Sequence, residues 1–441
     1  MREKMKMDRE KSLIEQAFIF SFPLVLMDIT KEVSTNATEP TKSKAHVNQF
    51  FHAKTLATSE FRQVVTPNVD TLYSQVFFDL KDDALVIRKP YADRYLTFQI
   101  MDAWSNTVAI LGTGGDTDEE KTYILTGPSF RGDIPNGMDR IEVPTSIGWI
   151  IGRTICYGTE DIPNIYKLQN DMDAKTLSVF LSNGEMSKGS DDENKDGVPI
   201  TLAMKLSPTE YFERFNKLLI DNPSYPEDNE LLMEFADLGI GAGLCFSPSL
   251  SSEDLESFWC EMKKLLIPKL TKETLGFMVK NGNFKFYGHP ISHFGKEYGY
   301  RCLIAIAGFG ANPVETAVYL KAEDDDSGEK LSAKNKYLLH FMPNSLPPVG
   351  EHGFWSVTAY GDDNFLISNP LNRYAISNRS NFKLNEDNSL DLILQTEEPN
   401  DNKGNWLPVG NGGFYLFFCI YRPDNSVLNG IWEAPKITKI D

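Results

Sequence analysis

Cysteine is scarce in this chain, and the few cysteines present lie far apart. Five occur among 441 residues, and none belongs to a CxxC pair: Cys156, Cys245, Cys260, Cys302 and Cys419. A disulfide-stapled secreted fold and a thiolate metal site both need denser and more closely spaced cysteines. We therefore expect free thiols in a reducing compartment, which predicts a cytoplasmic protein.

Positive charge is also in deficit. The chain has 44 Lys and Arg against 62 Asp and Glu, which gives a net charge of −18 at pH 7 and a pI near 4.9. An excess of negative charge opposes binding to phosphate backbones and to anionic membrane surfaces. We expect no nucleic acid and no membrane among the partners.

Long apolar runs are missing too. A membrane-spanning helix requires roughly 20 apolar residues, and no run in this sequence is that long. The best candidate, residues 17–27, contains Pro23. Acidic Asp8 and Glu10 precede it, unlike the basic start of a secretory signal. Apolar residues recur at helical spacing, so we predict an amphipathic helix over residues 12–31 that Pro23 kinks or ends.

Short runs of β-branched and aromatic residues, separated by Gly, Pro, Asp and Asn, dominate two parts of the chain. Residues 48–158 contain runs such as LYSQVFFDL and RYLTFQIMDAW, and residues 330–441 contain FWSVTAY and FYLFFCIY. These runs predict strands. Many short strands at close spacing are typical of β-sandwiches and jelly rolls.

The part between these two regions has helical spacing instead. We predict helices over residues 160–181, 208–221, 227–238, 252–280 and 298–319, and an acidic surface loop near 184–198. The predicted fold class is mainly β, and α+β overall. It comprises an N-terminal helix and linker (1–47), two sandwich or jelly-roll modules (48–158 and 330–441) and a helical region between them (159–329).

Several motifs resemble a known pair of domains. TPNVDTLYSQVFFDL at 66–80 and RYLTFQIMDAW at 94–104 resemble the domain of unknown function 1254. YGYRCLIAIAGFGANPVETAVY at 298–319, followed by LPPVGEHGFWSVTAY, NPLNRYAIS and GNWLPVG, resembles its usual companion, the domain of unknown function 1214. The resemblance implies two jelly-roll or sandwich modules flanking a helical part. It implies no particular reaction, because the activity of that family is unsettled.

Polar residues interrupt the apolar strands of the first module, and we predict that six of them form one cluster: Asn68, Asp70, Tyr73, Arg94, Asp102 and Trp104. A buried polar group is costly unless it is paired or used. We assign proton transfer to Asp102, Asp70 and Tyr73, and substrate binding to the other three, with Arg94 orienting an anionic group. The alternatives are that Asp70 caps a turn and that Asp102 has a structural, hydrogen-bonded role.

The second module supplies one further candidate. Arg373 lies in NPLNRY beside Asn369 and Tyr374. Because a guanidinium donates in a fork geometry, we predict that Arg373 binds a carboxylate, a phosphate or a sugar hydroxyl. The alternative is that these residues fix a corner between strands.

Complete catalytic and cofactor signatures are absent from the sequence. The glycine-rich GTGGDTDEE at 112–120 continues into acidic residues, and HPISH at 289–293 contains Pro290 and is not HExxH. We expect no cofactor and no metal. Paired carboxylates of the glycosidase kind stay open, because their separation is a three-dimensional quantity.

Two classes of function stay open. The first is an enzyme or binding protein for a small polar metabolite, a sugar or an organic acid, with a pocket in the β modules. The second is a structural or assembly protein built on paired jelly rolls. We also expect a homo-oligomer, because FYLFFCIY is apolar on both faces and needs two covering layers, unless the chain covers it itself.

Overall fold

The structure, a computed structural model, describes residues 2–62 and 65–440, with side chains described from Lys4 onward. It has a mixed α/β architecture with four β-sheets that are mostly antiparallel. The sheets form two pairs, and a layer of helices lies beside them. The predicted β-rich modules and N-terminal helix are confirmed at this level, and the jelly-roll topology stays a prediction.

The first β module contains nine strands: β1 (Phe51–His52), β2 (Thr71–Asp79), β3 (Leu85–Lys89), β4 (Leu96–Asp102), β5 (Thr107–Gly112), β6 (Lys121–Thr126), β7 (Asp139–Glu142), β8 (Ile147–Ile155) and β9 (Asp173–Thr176). The five-stranded sheet has the order β1-β2-β8-β4-β5, and the four-stranded sheet has the order β7-β6-β3-β9. Alternate residues of both sheets, such as Phe98 and Leu125, share one apolar core. The module is therefore a sandwich of two sheets.

The second β module contains ten strands: β10 (Met278–Asn281), β11 (Phe284–Tyr287), β12 (Ala317–Ala322), β13 (Lys336–Phe341), β14 (Val349–Gly361), β15 (Ala375–Ser377), β16 (Leu390–Gln395), β17 (Trp406–Pro408), β18 (Phe414–Pro423) and β19 (Ile437–Ile440). Its six-stranded sheet has the order β10-β11-β12-β18-β14-β15, and its four-stranded sheet has the order β17-β16-β13-β19. Phe418 and Leu392 represent the two sheets in their common core.

The helices found in the described part of the chain are α1 (Arg2–Ser34), α2 (Ile162–Asp171), α3 (Leu177–Ser182), α4 (Pro199–Lys205), α5 (Pro208–Asp221), α6 (Asn229–Ala236), α7 (Ser252–Glu273), α8 (Tyr298–Gly308) and α9 (Asn425–Leu428). The prediction for α5 is confirmed at both ends. Pro208 occupies its first turn, and Ser207 and Glu210 form a capping box. Packing then joins the helices, because Phe18 of α1 contacts the rings of Tyr211 and Trp259 at 4.8 and 5.0 Å.

Helix α1 corrects the predicted helix over residues 12–31. It is one helix of 33 residues with Pro23 inside it. Tertiary packing outweighs the hydrogen bond that proline removes, since neighbouring residues such as Phe22 and Leu24 are fully buried. By length and composition, residues 4–34 would also pass as a membrane span, but 72% of the most apolar window is buried inside the protein.

Strands replace part of three predicted helices. The prediction over 160–181 is interrupted by β9, which pairs with β3, and the predictions over 252–280 and 298–319 lose their ends to β10 and β12. Pairing with strands distant in sequence decides β9 and β12, whereas β10 forms a hairpin with β11, and helical spacing contains neither kind of information. The second module thus begins before the predicted boundary at residue 330, and β9 extends the first module beyond residue 158.

Candidate functional site

The two β modules pack against each other through their larger sheets. Tyr95, directly before β4, has its ring centroid 5.3 Å from that of Phe354 on β14 and 5.4 Å from that of Tyr421 on β18. Because side chains alternate along a strand, the faces that meet here are those turned away from the two module cores. The layer between the modules consists largely of aromatic and polar residues.

Arg153 lies in the middle of this layer and is the most unusual residue in it. It is on β8, directly opposite Tyr73 of β2 and Thr97 of β4, so the three side chains share one face of the sheet. Its Nη1 donates to Gln99 Oε1 at 2.8 Å and to Asn312 Oδ1 at 2.9 Å, and its Nη2 donates to the carbonyl oxygen of Gly310 at 2.8 Å.

The charge of Arg153 is not neutralised by a direct ion pair in the described chain. The side chain is 4% exposed, and its hydrogen bonds go to amide and peptide oxygens rather than to a carboxylate. These bonds use three of its five N–H donors, and Nε has no partner. A buried cation of this kind retains hydrogen-bonding capacity and positive charge.

Gly310 explains how a loop after α8 reaches this arginine. Its φ is +87°, and a Cβ placed there would lie 2.8 Å from Ile151 Cδ1 and 3.1 Å from the Trp149 ring. Glycine is the residue that tolerates both the left-handed backbone and the close approach. The carbonyl of Gly310 can therefore sit against β8 and accept from Arg153.

Four tyrosines surround the guanidinium: Tyr73, Tyr95, Tyr319 and Tyr421. The face of the Tyr73 ring lies 5.6 Å from Arg153 Cζ. Burial raises the pKa values of Tyr95, Tyr319 and Tyr421, so their phenols stay neutral. We call these four tyrosines and Arg153 the inter-sheet site.

The inter-sheet site is not sealed everywhere. Tyr319 is surrounded by protein, yet its side chain, like that of Tyr73, keeps part of its surface accessible. An interior side chain has accessible surface only where a water-sized space adjoins it. Tyr73 and Tyr319 are therefore the two residues of the site that keep partial solvent access.

Next to the inter-sheet site, a second arginine is already paired. Arg379 Nη2 donates to Asp70 Oδ1 at 2.5 Å, and Ser356 Oγ donates to Asp70 Oδ2 at 2.6 Å. The guanidinium of Arg379 stacks on Phe354 at 4.7 Å. Asn68 donates to the Tyr421 hydroxyl at 2.6 Å and accepts from the backbone N–H of Asp70. These contacts join the Pro-Asn turn of the first module to the second module.

A separate polar cluster lies between the first module and the helices. It is centred on Arg301 of α8, which is fully buried and boxed by the rings of Phe20, Trp104 and Tyr298 at 5.2 to 5.4 Å. The one hydrogen bond that Arg301 makes to the described residues runs from Nη2 to the Phe20 carbonyl oxygen, at 3.3 Å. We define the Arg301 cluster by Arg301, Asp102, Asp228, Tyr225 and Tyr298.

The two carboxyl groups of the Arg301 cluster are held by tyrosines. Tyr225 donates to Asp102 Oδ2 at 2.5 Å, and Tyr298 donates to Asp228 Oδ1 at 2.6 Å. Asp102 also accepts from the backbone N–H groups of Trp104 and Asn106, at 2.9 and 2.8 Å. Burial raises the pKa of Asp102, although the hydrogen bond from Tyr225 opposes this, and burial lowers the pKa of Arg301.

The structure divides the six predicted site residues of the first module among separate places. Asn68, Asp70 and Tyr73 lie together at the inter-module layer, whereas Asp102 and Trp104 lie at the far end of β4. Thr97 is level with Tyr73 and Arg153, and Asp102 is five residues further, about 16 Å at ~3.3 Å per residue. The six residues do not form one cluster, because the two ends of β4 lie beside different parts of the protein. Thr97 is level with Arg153, whereas Asp102 bonds Tyr225 of the helical region.

The two other predicted arginines have local partners. Arg94 pairs with Asp161 at 2.6 Å. Arg373 donates to the carbonyl oxygens of Lys403 and Trp406, at 2.7 and 2.9 Å, while Asn369 bonds the backbone of Arg373. This geometry agrees with the alternative that NPLNRY fixes a corner. Binding of a ligand by either arginine stays a prediction.

Sequence reasoning missed Arg153 and Arg301. Each is a single charge in an apolar run, GWIIGRTIC for Arg153 and YGYRCLIAIA for Arg301. That isolation was a usable signal, because lone charges in buried segments are rare unless paired or functional. Among the described residues, no group of three or more His, Cys, Asp and Glu has the arrangement of a metal site.

Two family models match the chain. One, described as protein of unknown function (DUF1254), matches residues 47–176, and the other, described as protein of unknown function (DUF1214), matches residues 316–425. The chain belongs to the two-domain DUF1254/DUF1214 family. The resemblance of the motifs is thereby confirmed, and all five residues of the inter-sheet site fall within the two matched segments. No curated protein matches the chain.

Solved structures support the fold of this DUF1254/DUF1214 chain. The VPA0106 protein from Vibrio parahaemolyticus is 21% identical, and the match covers 98% of this chain and 100% of that chain with a TM-score of 0.73. At that identity the likeness shows the fold alone. An uncharacterized protein from Burkholderia cenocepacia matches over 99% of this chain and 94% of its own, with 10% identity and a TM-score of 0.46, and carries no argument.

Proposed function

We propose that this DUF1254/DUF1214 protein binds a small organic anion of the carboxylate class at the inter-sheet site. The observation that carries the proposal is the environment of Arg153: a buried guanidinium with no direct ion pair to a carboxylate and an Nε without a partner. The function class is a metabolite-binding protein, and whether a reaction follows binding is a separate question.

The charges around the site favour an anion. Arg379 is paired with Asp70 and Arg94 with Asp161, so Arg153 contributes one excess positive charge to this part of the molecule. Taking an ion out of water costs several kcal/mol unless a partner compensates it. A carboxylate ligand supplies the missing charge and can accept from the guanidinium in a fork geometry.

Tyr73 and Tyr319 are the half-buried residues through which a ligand would reach the site. The Tyr319 hydroxyl accepts from Asn312, and its own proton has no acceptor among the described residues. Neutral phenols can donate to a carboxylate oxygen. Residues from both modules thus converge on one position, which is a typical location for a ligand site.

Ligand-induced thermal stabilisation tests the proposal directly. A panel of short carboxylic acids should raise the Tm of the natural protein, because a ligand that binds only the folded state stabilises it. Arg153→Met should abolish the shift, and Arg153→Lys should weaken binding by about tenfold because a lysine lacks the fork. Tyr319→Phe, which keeps the charge, should weaken binding less.

Arg301→Lys is the matched control, since Arg301 is an equally buried arginine outside the inter-sheet site. It should change the Tm without ligand but keep the ligand-induced shift. A carboxylate shift that survives both Arg153→Met and Tyr319→Phe would overturn the proposal. If Arg153→Met does not fold, the Tyr319→Phe and Arg153→Lys results decide.

Two further expectations stand as proposals beside it. The jelly-roll connectivity of each module fits the sheet pairs, and chain tracing in a crystal structure tests it. The homo-oligomer no longer follows from the two apolar faces of β18. One face of β18 lies in the core of the second module, and residues of the other face pack on the first module. Light scattering measures the mass, and a monomer would refute the oligomer.

A further inference from the structure

We propose that the outward face of helix α7 is a self-association surface, on which α7 of a second copy of this chain packs in the antiparallel direction. The proposal is independent of the ligand site, because α7 belongs to the helical layer and contributes no residue to the inter-sheet site. It names the surface and the pairing through which the expected homo-oligomer forms.

Helix α7 has one buried face and one uncovered face. The residues turned toward the rest of the protein recur every three or four positions, and they are Leu255, Trp259, Met262, Leu266 and Leu270. The flanks are occupied as well, since Lys269 pairs with Glu15 of α1 and Lys263 donates to the Met204 carbonyl oxygen of α4. The side opposite the buried residues is exposed along the helix.

A groove of about 530 Å³ lies on this uncovered face, lined by Ser257, Cys260, Glu261, Lys264 and Leu265. Leu265 is 59% exposed, so covering it on association is favourable. Glu261 and Lys264 are exposed, and neither forms an ion pair with a described residue although they lie three positions apart on the helix. The groove therefore offers one apolar side chain and two unused charges of opposite sign.

The order of these charges identifies a second copy as the occupant. Glu261 and Lys264 lie at equal distances from the midpoint between residues 262 and 263. In a two-fold antiparallel contact centred on that midpoint, Glu261 of each copy faces Lys264 of the other. Glu253 and Lys272 are related by the same midpoint. The face is thus complementary to itself.

The charge balance of the chain also favours this face. With a net charge of −18, two copies repel each other over most of their surfaces. Helix α7 carries five acidic and four basic residues, so it is close to neutral and opposes contact less. One helix from each copy buries a small area, so we expect a weak dimer with a Kd of about 1–100 μM.

Sedimentation velocity over a concentration series tests the association. The mass of the natural protein should rise from 49.8 kDa toward twice that value between about 1 and 200 μM. Glu261→Lys and Lys264→Glu each place like charges in both cross-copy pairs, and each should weaken the dimer at least about 10-fold. A natural protein that keeps the mass of one chain throughout the series overturns the proposal.

The two variants together give the decisive result. In a mixed dimer of Glu261→Lys with Lys264→Glu, every lysine of one copy faces an acid of the other. An equimolar mixture should therefore dimerise although neither variant does so alone, and a double variant with both changes should dimerise for the same reason. A mixture or double variant that stays monomeric overturns the antiparallel pairing. A dimer that survives both single changes places the contact elsewhere and also overturns it.

Glu234→Lys is the matched control. Glu234 lies on α6, is exposed and has no ion pair among the described residues, and its replacement changes the net charge as Glu261→Lys does. This variant should keep the dimer. Equal weakening by Glu234→Lys and Glu261→Lys would show an effect of net charge and contradict the proposed pairing. The Tm of every variant should match that of the natural protein, because the changed side chains are all exposed.

Cys260 provides a second readout of the same pairing. The Cys260 residues of the two copies lie five positions apart along the paired helices, which is about 7.5 Å at 1.5 Å per residue. A short bis-maleimide should link two chains of the natural protein but not of Cys260→Ser, which retains the other exposed cysteine, Cys245. A dimer that cannot be linked through Cys260 would rule out this arrangement.

Discussion

Two buried arginines, neither in a direct ion pair within the described chain, lie at different places beside the first module and have different surroundings. Arg153 is held by three hydrogen bonds to amide and peptide oxygens and has four tyrosines near it. Arg301 makes one hydrogen bond but has three aromatic faces and the carboxyl groups of Asp102 and Asp228 nearby.

The difference shows what each arginine is available for. Around Arg301 the chain itself supplies negative charge and cation–π contacts, so that cluster is complete as a link between helices and sheet. Around Arg153 the described chain fixes the position of the guanidinium by hydrogen bonds but pairs no carboxylate with it. A buried arginine that is held in place without a carboxylate beside it suits the binding of an anionic ligand. A buried arginine with carboxyl groups beside it suits a stabilising role.

Removal of the two arginines should give the largest contrast. Arg301→Met leaves two buried carboxyl groups without their cation and should lower the free energy of unfolding by about 3–5 kcal/mol. Arg153→Met leaves unpaired amide and peptide oxygens and should cost about 1–3 kcal/mol. Urea denaturation measures both values. A larger loss of unfolding free energy for Arg153→Met than for Arg301→Met would contradict this comparison.

Removal of single tyrosine hydroxyls should give stability losses of intermediate size that also differ between the two places. Tyr225→Phe removes a donor to Asp102 and should cost about 1.5–3 kcal/mol, the range for hydrogen bonds to charged groups. Tyr421→Phe removes an acceptor for the neutral amide of Asn68 and should cost about 1 kcal/mol. Equal losses of unfolding free energy in chemical denaturation would contradict the view that Tyr225 bonds a charged group and Tyr421 a neutral one.

The pH dependence of stability should show the smallest effect. Since the pKa of Asp102 is raised above its ordinary 3.8 in the folded state, the protein binds this proton more tightly when folded. Its contribution is complete below pH 3.8 and is lost as pH rises through the folded pKa.

Asp102→Asn removes this dependence. Relative to the variant, the natural protein should lose up to about 1.4 kcal/mol per pH unit above pH 3.8 until the folded pKa is passed. Denaturation curves at several pH values measure the difference. Parallel curves for the two proteins would show that Asp102 does not carry the dependence.

Local signals predicted the elements whose ends are marked in the chain. The capping residues Ser207, Pro208 and Glu210 located the start of α5, and runs of β-branched and aromatic residues located β4 and β18. The same reasoning failed at α1, where packing overrides Pro23, and at β9, whose pairing with β3 has no local signature.

The candidate site was predictable only in fragments. Asn68, Asp70 and Tyr73 were singled out because they punctuate a strand, and they do lie at the inter-module layer. Their decisive neighbours come from distant segments: Tyr319 and Tyr421 from the second module, and Asn312 from the loop after α8. Asp102 was recognised as a buried acid, but its partner Tyr225 lies in a region without any recognised motif.

The sequence by itself determined the family, the β-rich modules, the character of each strand face and the burial of a few charges, because these depend on residue type and spacing. The tertiary structure decided which faces meet. A strand period of two puts Arg153 opposite Tyr73 and Thr97, but only the packing of one module on the other adds Tyr319 and Tyr421, and no carboxylate among the described residues pairs with it. Charge compensation is a property of neighbours in space, and that is why Arg153 and Arg301 look alike in the sequence and differ in the fold.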